Sequence, residues 1–223
     1  MKICVLDAWN PEDPALVNCH WVAERTVAAL IHADPGAAIE VISAAEVTLA
    51  RAEMELLRDH DAFAYFGHGR KHLLYRCKDE ANEPVPIVGV DQVRGIGARW
   101  FHAFACLSGE TLCHDAAAAG AAAYLGYSVV VVVEWDVPPL PDELRVLLED
   151  LVTIATLQLA AGQRSRNTIR RQVREASNQI LEWLDLNEEE ACAEINWPEL
   201  TGLKMLANLL HQKLVLEGSS VVD

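Results

Sequence analysis

Residues 62 to 66, Ala-Phe-Ala-Tyr-Phe, offer no polar position to either face of a strand. A strand with one wet face alternates. One without a polar position needs cover on both sides, as a central parallel strand has between two layers of helices. The same pattern recurs along the chain. Ile3 to Leu6 reads as a short buried strand ending at Asp7, and Ile39 to Ile42 as a second. Between them, Pro14 to His32 carries Leu16, Val17, Val22, Val27, Leu30 and Ile31 at helical spacing, and Asp34-Pro35-Gly36 closes the helix. Val47 to Arg58 predicts a second helix. Repetition of strand, helix, strand requires parallel crossovers and a doubly wound α/β layer.

Beyond residue 66 the chain turns polar. Leu73 to Tyr75 and Val85 to Val88 flank Arg76-Cys77-Lys78-Asp79-Glu80, which predicts a hairpin off the main sheet. Asp91 is placed to cap a short helix running through Arg99. Trp100 to Ala105 is the fourth strand. Thr111 to Leu125 reads as an alanine-rich helix closed by Gly126, and the β-branched run Val129 to Glu134 as the fifth strand. Two long helices follow, Glu143 to Ala161 and Arg166 to Leu186, then a third after Pro198. Leu214 to Leu216 is a last strand. The expectation is one domain over 1–223, with a helical insertion at 141–211 ahead of a final strand at 212–218.

Composition narrows the function. A formal net charge of −15 repels phosphate, so neither nucleic acid nor an anionic membrane is an expected partner. The valine run at 129–133 is far short of a membrane span. The opening "MKICVLDA" turns polar too soon for a signal peptide, so a cytoplasmic chain with six reduced cysteines is expected. No CxxC pair occurs, and His68 and His72 share a metal only on a helix that Gly67 and Gly69 disfavour. No metal or cofactor is expected. Arg94-Gly95-Ile96-Gly97 lacks a complete dinucleotide fingerprint. Cys19-His20 and Cys113-His114 lie in helices, where neighbours point apart, and read as packing residues. So do Trp100, Trp183 and Trp197.

Chemistry is expected where two consecutive strands end. The third closes on Gly67-His68-Gly69 and the fourth on Cys106, with Ser108 and Gly109 behind it. Ligands of open α/β sheets sit beyond the carboxyl ends of strands. The glycines let the backbone turn and a substrate come close. A thiol and an imidazole in one crevice make a nucleophile with its base. The helix expected near Thr111 would lower the pKa of Cys106. The N–H groups of Gly69 and Cys106 would hold an oxyanion.

"YFGHG" followed by "FACLSG" resembles the paired signature of caspase-like cysteine peptidases, the clan of caspases, metacaspases and gingipains. Within that clan the chain is most similar to CHAT-domain proteins. "AAAAGAAAYLGY" feeding "VVVVVEW", and the terminal "KLVLEGSS", fit the same pattern, so the likeness covers most of 1–140 and the last strand. It implies a three-layer sandwich with a mostly parallel six-stranded sheet and helices on both faces. It implies His68 and Cys106 as the catalytic dyad, Gly69 as an oxyanion donor, and peptide hydrolysis through a thioester. The position two before the cysteine lines the P1 pocket in this clan. Here it is Phe104, neither the acid of metacaspases nor the glutamine of caspases. Asp7, Glu134 and Asp136, on loops after the first and fifth strands, favour a basic P1 residue. The resemblance also implies a protein target in a prokaryotic antiviral defence or cell-death pathway. A regulatory partner, a homodimer or a tight substrate preference would be the switch, and the hairpin Lys71 to Pro86 a movable flap. Two rival functions stay open: an idle scaffold that binds a partner, and a thiol amidase or acyl transferase acting on a small molecule.

Overall fold

β1 (Lys2–Asp7) lies between β2 (Ala38–Ser43) and β3 (Ala62–Phe66) and runs parallel to both, with Cys4 facing Glu40 on one side and Phe63 on the other. β3 in turn pairs parallel with β7 (Trp100–Phe104), and β7 with β8 (Ala123–Tyr127). β9 (Leu214–Glu217) closes the edge antiparallel, with Leu125 opposite Leu216. The order is β2-β1-β3-β7-β8-β9, a mostly parallel six-stranded sheet. The structure, a computed structural model, describes residues 1–131, 140–187 and 197–223.

Two cores explain why the strands lack polar positions. Ile3, Val5, Ala62, Ala64, Phe66 and Phe104 pack on one face beneath α1 (Pro14–Ala33), α5 (Asp142–Ala160), α6 (Arg166–Leu186) and α7 (Trp197–Lys213). Cys4, Leu6, Phe63, Tyr65, Phe101 and Tyr124 pack on the other, toward α2 (Leu49–Leu56), α3 (Val90–Arg94) and α4 (Leu112–Ala118). Alternate residues of each strand feed opposite cores, as the period of two demands. Helices α5, α6 and α7 therefore cover this sheet face together with α1, and α7 delivers the chain to β9. Arg166 and Arg170 donate to the carbonyls of Leu216 and Leu214, which ties α6 to this strand.

The short β4 (His68–Arg70), β5 (Leu73–Lys78) and β6 (Pro84–Gly89) form a separate antiparallel sheet, so the expected hairpin has a third strand that contains His68. Among the described residues, no helix is long and apolar enough to cross a membrane.

Three expectations fail. The helix expected over Thr111 to Leu125 stops at Ala118, and the fifth strand is Ala123–Tyr127, ahead of the valine run. Gly120 adopts φ 91°, a left-handed conformation that breaks the helix. Tyr124 then stacks on Phe101 with ring centroids 5.2 Å apart. Alanine propensity loses here to pairing beside β7. Val129 to Val131 follow the strand without regular structure, and the rest of that expected strand, with Glu134 and Asp136, lies outside the described residues. The short helix α3 also begins one residue before Asp91 and ends at Arg94. Gly89 occupies its cap position, and Gln92 reaches back to the Gly89 N–H at 2.9 Å.

Candidate active site

Three strand ends are laced together before the site begins. The Ala8 N–H donates to Phe66 O at 2.9 Å, and the Gly67 N–H to Phe104 O at 3.3 Å. A Cβ on Gly67 would lie 2.6 Å from both Ala8 Cβ and Tyr65 Oη, so only glycine lets the chain leave β3 here. A Cβ on Gly69 would collide with the carbonyl oxygen of Cys106. The close approach that this glycine permits is thus to the Cys106 backbone. Tyr65 Oη donates to Tyr75 O at 2.7 Å and lies 3.1 Å from His68 O, which fixes β4 against β3.

Cys106 leaves β7 through a left-handed residue, since Leu107 has φ 54°. That conformation costs a non-glycine residue about 1 kcal/mol or more and persists only where neighbours enforce it. Here the Leu107 N–H is held by Val129 O at 2.9 Å, and Gly109 N–H by Tyr127 O at 3.0 Å. The Ser108 hydroxyl lies 2.8 Å from Ala105 O and accepts from the Tyr127 N–H at 3.2 Å. Ser108 is fully buried, so its task is to knit this turn to β8.

His68 and Cys106 line one small cavity of about 30 Å³, together with Ala15, Cys19, Phe104 and Val131. The volume suits about one water molecule. His68 Nε2 donates to Asp13 Oδ2 at 2.7 Å, and its ring stacks on Tyr75 at 5.1 Å. Asp13 Oδ1 meanwhile accepts the Ala15 N–H at 3.1 Å and caps α1. The Cys106 thiol donates to Val131 O at 3.6 Å. Burial pushes this thiol above its ordinary pKa, and backbone hydrogen bonds at Val131 and at its own amide offset only part of that. The expected lowering by a helix terminus does not decide the outcome: α4 starts at Leu112, six residues on, and burial prevails.

Phe104 is buried and forms a wall of this cavity. Asp7 is buried at the end of β1, outside the cavity lining. Its Oδ2 accepts from His20 Nδ1 at 2.6 Å and from Ser43 Oγ at 2.9 Å, and its Oδ1 is buried with no hydrogen-bond partner among the described residues. Trp9 stacks on His20 at 4.8 Å. Cys19 reports how close these groups lie. Burial raises its thiol pKa, and the charges of Cys106, Asp7 and Asp13 push the same way.

Sequence reasoning missed Asp13, Tyr75, Cys19 and Val131. Only Asp13 carried a signal: an aspartate directly before Pro14 at a helix start reads as a cap. Nothing there told of its second oxygen reaching His68.

The fold is that of the caspase-like α/β class. A solved structure with the same arrangement is that of gingipain R, described as an Arg-specific cysteine proteinase; the superposition has a TM-score of 0.52 at 12% sequence identity. It covers 99% of this chain and 47% of gingipain R, so the chain spans about half the length of that protein. No known family profile matches the sequence, and no curated protein matches it.

Proposed function

We propose that the chain is a cysteine endopeptidase in which His68 and Cys106 act as a pair. The observation that carries this reading is their common cavity at adjacent strand ends, with His68 already held by a carboxylate. Because Nε2 is committed to Asp13, Nδ1 is the nitrogen that exchanges the proton. Nδ1 takes the thiol proton as Sγ attacks the scissile carbonyl. The carbonyl oxygen becomes an oxyanion against the N–H groups of Gly69 and Cys106. Collapse breaks the C–N bond, the amine departs with the proton from Nδ1, and a thioester remains. Water, deprotonated at Nδ1, then releases the acid and restores the thiol.

The cavity of about 30 Å³ is far below the roughly 300 Å³ or more of a ligand pocket. Engagement of a peptide therefore requires Val131 to move off the thiol. Asp7 is proposed as the acidic end of the P1 subsite, with Phe104 as its apolar wall. The buried Oδ1 of Asp7, without a partner among the described residues, favours an arginine or lysine at P1. Gingipain R, of like fold, is Arg-specific by its description. Glu134 and Asp136, outside the described residues, are proposed to add to this preference. The resemblance to CHAT-domain proteases, a defence role, and control by a partner or a homodimer belong to the same proposal and rest on the motif pair; a cytoplasmic location is proposed with them.

The second reading, an idle scaffold, draws on the protonated thiol capped by Val131. Fluorogenic peptides varied at P1 separate the two. Cleavage after arginine or lysine that is lost in Cys106→Ala supports the peptidase. No cleavage of any member supports the scaffold.

A further inference from the structure

A second cluster of reactive side chains lies in the amino-terminal half of the sheet, on the face covered by α2. The Cys4 sulfur, a Glu55 carboxylate oxygen and a His60 ring nitrogen all lie within 4.8 Å of one another. Cys4 and Glu55 are fully buried, and His60 is 8% exposed. Glu40 stands opposite Cys4 in the β1–β2 register and therefore projects from the same face; its Oε2 is 3.9 Å from His60 Nε2. Three donors thus converge from β1, α2 and the connection to β3, and Glu40 on β2 stands at their edge beside His60. The sequence concealed them, because only Glu55 and His60 are close along the chain, while Cys4 and Glu40 come from separate strands.

We propose that Cys4, Glu55 and His60 form a zinc site, with Glu40 drawn in as the fourth ligand. Thiolate, imidazole and carboxylate together match the donor chemistry of zinc, and four donors match its preferred tetrahedral coordination. The alkaline earth ions favour oxygen-only sets. The way in is a surface groove of about 500 Å³, lined by Lys2, Glu40, Arg58, Asp59 and His60.

Without metal the carboxylates are neutralised by guanidinium groups. Arg51 Nε is 2.9 Å from Glu55 Oε1, and Arg58 Nη1 is 2.9 Å from Glu55 Oε2 and 2.8 Å from Glu40 Oε1. Zinc competes with these contacts. Arg58 is half exposed and swings into solvent, while Arg51 stays on the outer oxygen of Glu55. The Cys4 thiol releases its proton to solvent as the Zn–S bond forms, and the proton that His60 Nε2 donates to Glu55 leaves that nitrogen as it turns to the ion, so affinity rises with pH. A bound ion would fasten the edge strand β2 to β1 and to the start of β3.

Cobalt(II), which takes zinc's place in tetrahedral sites, is the test probe. It is titrated into the full chain carrying Cys106→Ala, so that the other cavity thiol is silent. The site predicts one equivalent bound, with a thiolate-to-cobalt charge-transfer band and the strong visible absorption of a four-coordinate ion. Zinc bleaches both. Cys4→Ser removes the charge-transfer band and weakens zinc binding by more than about a hundredfold, beyond what an outer-shell partner contributes. Arg58→Gln tightens zinc binding, because it removes the competing cation, and it remains informative if Cys4→Ser fails to fold. Absence of a thiolate band, its persistence in Cys4→Ser, or weaker zinc binding by Arg58→Gln would each overturn the site.

Discussion

Asp13 grips His68 through Nε2 at 2.7 Å while its other oxygen caps α1. One carboxylate thereby links the start of the first helix to the imidazole at the end of β3. Asn is as good a helix cap as Asp. Asp13→Asn should therefore keep the melting temperature but lose the charge that orients the ring. The expected result is a fall in kcat/KM of about a hundredfold or more, with a smaller change in KM. Asp13→Ala should add a loss of about 1 kcal/mol in stability from the missing cap. Equal activity in Asp13→Asn and the parent protein would contradict an orienting role.

Gly69→Ala places a methyl group against the Cys106 carbonyl, and backbone atoms there have little room to yield. The variant should lose cleavage, with destabilisation of roughly 1–3 kcal/mol. Ser108→Ala should also destabilise, since the buried Tyr127 N–H loses its acceptor. Urea unfolding beside the peptide assay checks both.

The pKa of the Cys106 thiol is raised, chiefly by burial. Alkylation by a small neutral reagent, iodoacetamide, should be slow near neutral pH in the unliganded protein and rise with a midpoint above that of a free cysteine. The test reads the rate at Cys106 by peptide mass spectrometry across pH. A midpoint below the free value would show that a neighbouring cation, not burial, governs the sulfur.

In the metal-free protein, stability should fall on both sides of neutrality, for opposite reasons. Burial works to raise the Glu55 carboxyl, but hydrogen bonds from His60 and Arg58 and the charges of Arg51 and Arg58 bring it below its ordinary 4.5. The unfolded chain therefore binds more protons there, and stability drops as pH falls from about 5 through the native value. Burial first, then Glu55 and Glu40, push Cys4 up to about 12 from 9.0. The folded state keeps a proton that the unfolded chain has lost, so stability also drops as pH rises through that window. Denaturant midpoints across pH test this. Glu55→Gln should flatten the acid limb, and Cys4→Ala the alkaline one.

Much of the fold was legible because the strands carry their burial in their letters. Ala62–Phe66 has no polar position, and the structure covers it on both faces. Failure came where local preference and tertiary pairing disagree. The alanines before Gly120 favour helix, and the same small side chains also allow Ala123 to lie beside Trp100 in the sheet. Val129 to Val131 look like the start of a strand but follow one without regular structure. At the site, the paired glycine motifs located His68 and Cys106. Asp13 stayed hidden because 55 residues separate it from His68. The sulfur's environment was hidden too, since burial depends on Val131 folding over it.

Labelling with a peptidyl acyloxymethyl ketone bearing a P1 arginine tests the central claim most directly. The account predicts a single adduct on Cys106, formed faster than on free cysteine at pH 7 and slowed at least tenfold by His68→Ala, where a tenfold change corresponds to about 1.4 kcal/mol. Labelling at an unchanged rate in His68→Ala, or spread over several cysteines, would contradict it.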